Sequence, residues 1–118
     1  LQKSLPWMET LWKIFQDNII KEEVKMKDIL VVGKLKEGAF EKFMGFMQSD
    51  EGMAERKKVA DVSKTIASVS PDKSTIMFKI AVHDMAALHS FLDGSNPVSK
   101  PVFDEVMTGY EIYELAKV

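Results

Sequence analysis

His83 and His89 are the only imidazoles in the chain. Imidazole is the side chain whose ordinary titration falls nearest neutral pH, so these two are the first candidates for acid–base chemistry. His83 closes an apolar run and is followed by Asp84. His89 comes after Met85 and before Leu92, beside an apolar helical stripe. Histidines on one helix share a metal most readily at i, i+4. The spacing from 83 to 89 does not fit, and no carboxylate completes a ligand set, so no metal is expected. For His89 the plainer reading is a boundary histidine bonded to backbone or water. The functional reading is a base at the rim of a pocket, with Tyr110 as a second polar group. His89 and Tyr110 are therefore the candidate ligand-binding residues, and no catalytic residue is assigned.

The other chemical groups read as bland. Glu111 and Glu114 lie on a strand-like run at odd spacing, so they face opposite sides and make no carboxylate pair. Glu51, Glu55 and Asp61 are interleaved with Arg56, Lys57 and Lys58, which suggests a solvated helix face. Phe40, Phe43 and Phe46 could wall a ligand pocket, but such a stripe is more often plain core. Ser90, Ser95 and Ser99 lack the flanking glycines of a nucleophile elbow. Gly33, Gly38 and Gly45 do not make a phosphate-cradling loop, and no cofactor is expected.

Composition narrows the classes further. The chain has 118 residues, 46% hydrophobic and 29% charged, enough for one core but not two. The net charge of −2 concentrates no positive field, so nucleic acid is not an expected partner. Arg56 is the only arginine among 16 basic residues, and arginine clamps on phosphate or carboxylate are not expected. Cysteine is absent, which excludes disulfides and thiolate chemistry within this sequence and suits a reducing cytoplasm. No apolar run approaches the roughly 20 residues of a membrane span. Glu9, Lys13 and Asp17 interrupt any signal-peptide core.

The elements that must position these groups follow from periodicity. Residues 1–25 read as an added amphipathic helix, capped by Ser4, with Leu5, Met8, Trp12, Phe15 and Ile19 along one face. Its charges balance, so it is expected to pack on protein rather than on a membrane. Residues 26–118 form the second unit. A strand over 27–36 carries Ile29, Val31 and Leu35 on one side and Leu30 and Val32 on the other. A helix over 38–48 follows. Ser49 or Asp50 can cap a continuation to Val59, with Gly52 weakening the join. Strands over 63–69 and 75–82 flank the Pro71-Asp72-Lys73 turn. Asp84 caps a further helix, broken by Asp93 to Pro97. A short helix over 99–107 is expected to stop at Gly109, and a last strand runs from Tyr110 to Leu115.

The order is β-α-β-β-α-β, the ferredoxin-like split pattern of an α+β fold with a four-stranded antiparallel sheet. With the stretch from Phe78 to Phe91, a hydrophobic strand running into a capped helix, it resembles the dimeric α+β barrel superfamily. Within that group it is similar to small uncharacterised families, one of them a domain of unknown function found mainly in marine cyanobacteria. The resemblance implies a homodimer made by stacking open sheet faces. It implies no single activity, because the superfamily spans monooxygenases, haem-degrading enzymes, dehydratases and proteins without known chemistry. The apolar residues on both sides of the first strand argue independently for a covered second face. Two functions stay open. One is a small homodimer with a structural, regulatory or small-ligand-binding role. The other is a cofactor-free, monooxygenase-like enzyme acting on a small apolar metabolite.

Overall fold

A computed structural model describes residues 26–118; the helix expected over 1–25 lies outside the described residues. The first strand, β1, is Lys27–Leu35. Two helices follow, α1 at Phe40–Gln48 and α2 at Asp50–Val59. Strands β2 (Ala60–Val69) and β3 (Thr75–Val82) form a hairpin. Helices α3 (Met85–Asp93) and α4 (Lys100–Val106) lead to β4, Met107–Glu114. The sheet order is β2-β3-β1-β4, and every pairing is antiparallel. This is the ferredoxin-like arrangement, with each helical crossover built from two helices. No described helix is long and apolar enough to cross a membrane.

The two sides of the sheet differ. Register places Ile29, Val31 and Gly33 of β1 beside Ile80, Phe78 and Ile76 of β3 on one face. Ile29, Val31, Ile76 and Phe78 are buried there, together with Leu88, Phe91, Phe103 and Val106 from the helices. Phe103 sits at the centre of an aromatic cluster, 5.0 Å from Phe91, 5.7 Å from Phe46 and 5.8 Å from Phe43 between ring centroids. The opposite face carries Leu30 and Val32 of β1, Met77 of β3, Ile66 of β2 and Tyr113 of β4. Ile66, Met77 and Tyr113 remain exposed.

Side-chain caps mark where α2 and α3 begin. The Ser49 hydroxyl accepts from the Gly52 N–H at 3.0 Å and donates to the Phe46 carbonyl at 2.6 Å. Asp84 accepts from the Ala87 N–H at 3.0 Å. Gly52 does not weaken the α1–α2 corner. A Cβ there would lie 1.9 Å from the Phe46 carbonyl oxygen, so the close approach of the backbone requires glycine.

Two boundaries differ from the sequence expectation. Gly109 does not stop a helix: α4 ends at Val106, and Met107 enters β4 directly with φ −108 and ψ 142. The backbone pairing of β4 with β1, in which Gly109 lies opposite Lys34, takes precedence over the local glycine signal. Strand β2 begins at Ala60 rather than Ser63. Asp61 pairs with Ala81 and Ile66 with Lys79, so Val62 to Thr65 bulge opposite Ile80. Asp61 holds the start of the bulge by accepting from the Ser63 N–H at 3.1 Å and hydroxyl at 2.6 Å. The bulge breaks the two-residue alternation that marks a strand.

Candidate functional site

Between the sheet and the helices lies a partly open cavity of about 60 Å³. Its floor is the inner row of the central strands, Val31, Gly33, Ile76, Phe78 and Ile80. Its roof comes from Phe43 and Met47 of α1, Val59 of α2, Leu88 and Leu92 of α3, and Phe103 of α4. Two features of the sequence shape the lining. Gly33 supplies no side chain to the floor, a strand position where another group can approach closely. A Cβ there would meet Met107 Cε at 3.2 Å and Ile76 Cγ2 at 3.3 Å, so these side chains already lean over the glycine. The β2 bulge brings Val62 and Thr65 to the lining.

The described lining is apolar apart from Thr65 and Arg56. Arg56 is half-buried on α2. Its Nη1 donates to the Met47 carbonyl at 3.0 Å, which satisfies an end carbonyl of α1, and lies 3.0 Å from Met53 Sδ. Burial lowers its pKa from the ordinary arginine value. The sequence reading placed Arg56 on a solvated helix face with Glu55. Neither is solvated in that way. Glu55 is 8% exposed; it accepts from Asn96 Nδ2 at 2.9 Å and from Lys58 Nζ at 2.7 Å. The solvated-face reading failed because Lys57 and Lys58, which are exposed, mask two inward positions in the same charge run. A helical wheel referenced to the buried Val59 places Glu55 four residues earlier on the same side, and that signal was available.

His89 is exposed on α3 and does not line the cavity. Tyr110 stands opposite Gly33 on β4 and is also outside the lining, 37% exposed. The structure does not bring the two together in this cavity. His83 is exposed at the end of β3, with Nε2 3.0 Å from the Lys57 carbonyl. Of the stripe phenylalanines, Phe43 lines the cavity; Phe40 lies instead under the Lys73 ammonium, 5.0 Å from the ring centroid. Among the described residues no group of three or more metal-type ligands converges.

No protein-family model matches the chain, and no curated protein matches it in sequence. Solved structures do match in shape. An uncharacterised NIPSNAP domain protein from Burkholderia xenovorans is similar with a TM-score of 0.55 at 16% identity, over 79% of this chain and 95% of that one. A NIPSNAP family protein of unknown function from Agrobacterium tumefaciens gives 0.55 at 14% identity, over 76% and 86%. A protein from Bacteroides thetaiotaomicron, proposed as an antibiotic biosynthesis monooxygenase, gives 0.55 at 11% identity, over 79% and 90%. What the chain shares with these proteins at such low identity is the fold: a ferredoxin-like α+β domain with a four-stranded antiparallel sheet.

Proposed function

We propose that this protein is a small-ligand-binding module that works as a homodimer in the cytoplasm and holds a small apolar molecule between its helices and its sheet. The aromatic-walled cavity carries this reading. It is concave, apolar and formed by rigid elements, with few polar groups at its edge, as ligand sites are. The second sheet face supports the dimer. Exposed Ile66, Met77 and Tyr113 share this face with Leu30 and Val32, with Lys79 and Glu111 set among them, and a two-fold partner offering the same face would cover its apolar residues.

Methyl-labelled methionine tests the cavity. Met47 and Met107 line it, whereas Met77 is on the opposite face. Titration with small aliphatic and aromatic compounds is expected to shift the Met47 and Met107 methyl signals and leave Met77 in place. Silent Met47 and Met107 signals across such a panel would remove the ligand-binding reading.

A cofactor-free monooxygenase-like activity is the second reading, supported by the proposed assignment of the Bacteroides structure and by the same cavity. Binding alone is preferred because the described lining presents one hydroxyl and one guanidinium, with no imidazole or carboxylate to move a proton.

A further inference from the structure

The single arginine of the chain lines the apolar cavity. Arg56 is part of the lining, and its other named lining partners are hydrocarbon, thioether or Thr65. Within the described residues its guanidinium makes hydrogen bonds through Nη1 only, to the Met47 carbonyl and towards the Met53 sulfur. No described carboxylate lies within ion-pairing distance of it, although the lysines Lys27, Lys42, Lys58 and Lys100 are all so paired. A guanidinium offers five N–H donors in a planar fork, and its unused edge matches a carboxylate with two parallel hydrogen bonds. Low dielectric strengthens such a pair when the remainder of the ligand excludes water.

We infer that the cavity takes a short aliphatic carboxylate, its chain among Val31, Ile76, Phe78 and Leu88 and its carboxylate on the free edge of Arg56. This deepens the ligand-binding reading above and rests on it. Shape selects the chain. The volume of about 60 Å³ is well below the roughly 150 Å³ of a dry cavity that holds benzene. A methylene chain is thinner than a ring and enters the open side of the cavity with smaller movements of the walls, seating only part of its length inside. Charge selects the head. One cation in the lining matches one negative charge, whereas a phosphate monoester carries nearly two at neutral pH.

Hexanoate, 1-hexanol and hexyl phosphate separate the possibilities when titrated by calorimetry and followed at the Met47 and Met107 methyl groups. In wild type, hexanoate is expected to bind at least about tenfold more tightly than 1-hexanol, as a charge-assisted bond contributes. Arg56→Gln should bring the two to equal affinity, and Arg56→Lys should retain part of the preference. The acid-to-alcohol ratio is read within each variant, so a general loss of stability does not imitate the result. Ile80→Trp should fill the cavity and weaken both ligands. Equal binding of acid and alcohol in wild type overturns the carboxylate inference while leaving the cavity a ligand site. Preference for hexyl phosphate over hexanoate overturns the choice of head group. Absence of binding by all three compounds overturns the inference, and if the broader panel also leaves Met47 and Met107 unmoved the ligand-binding reading falls with it.

Discussion

Asn96 Nδ2 donates to Glu55 Oε1 at 2.9 Å, tying the loop between α3 and α4 to the buried side of α2. The other carboxylate oxygen accepts from Lys58 Nζ at 2.7 Å. Asn96 also uses its Oδ1 to hold the Val98 N–H at 2.8 Å. One carboxylate thus joins two helical crossovers that are remote in sequence.

That relationship predicts a pH-dependent stability. The Lys58 and Asn96 hydrogen bonds, in that order, hold the Glu55 carboxyl below its ordinary value of 4.5. A lowered folded-state pKa adds stability that is complete above the ordinary glutamate range and is lost as pH falls through the lowered value. Glu55→Gln is expected to lower the melting temperature at pH 7, and its gap from wild type should narrow on acidification. Melting curves from pH 7 down to pH 3 check this, and a constant gap would refute it.

Asp72 makes a sharper case. It accepts from the Ser74 hydroxyl at 2.7 Å, the Ser70 hydroxyl at 2.7 Å and the Ser74 N–H at 3.1 Å within the β2–β3 turn. These bonds lower its pKa from 3.8 to about 2. Its carboxyl carbon should titrate near that value by NMR. Asp72→Asn should destabilise the hairpin at neutral pH, and the difference should fade as pH falls from 3.8 through about 2.

Gly52→Ala should damage the α1–α2 corner. Its Cβ would meet the Phe46 carbonyl oxygen, a backbone atom that cannot rotate away, at 1.9 Å. Overpacking usually costs 1–3 kcal/mol, and a backbone clash belongs at or above the top, about 3 kcal/mol. Urea denaturation measures it, and a loss below about 1 kcal/mol would mean that the corner can relax.

Phe103→Ala removes the ring at the centre of the aromatic cluster. Phe103 is 6% exposed and contacts Phe43, Phe46 and Phe91. Truncating a buried phenylalanine costs about 3–5 kcal/mol. The same denaturation experiment should show a lower midpoint with little change in slope.

Met77→Glu tests the dimer. The substitution places a charge on the exposed sheet face, where a protomer tolerates it but a covered interface does not. Light scattering should report twice the protomer mass of 13.4 kDa for the native protein and the single mass for the variant. A native mass equal to one protomer would remove the dimer.

Local patterns alone determined the order of strands and helices from Lys27 onward. The hairpin around Pro71 was legible because β3 alternates and the turn residues preset the corner. The Asp84 cap was legible because it is a contact between near neighbours. Tertiary structure decided the rest. Gly109 reads locally as a helix stop, yet its pairing opposite Lys34 makes it part of β4. The bulge from Val62 to Thr65 is defined only against Ile80, a residue on another strand, and it disrupts the alternation a reader relies on. The cavity likewise depends on Gly33, Arg56 and Phe103, which are distant in sequence and meet only when the helices fold onto the sheet. His89 lies beside an apolar stripe in sequence yet is exposed and outside this cavity, because a few tens of degrees around a helix separate a lining side chain from an exposed one. Arg56 was hidden by the opposite effect. Its charge suggested solvent, while the Met47 carbonyl and the apolar roof around it are supplied by other elements. Periodicity reports the face a residue shares with its neighbours in sequence; which surface that face meets is set by long-range packing.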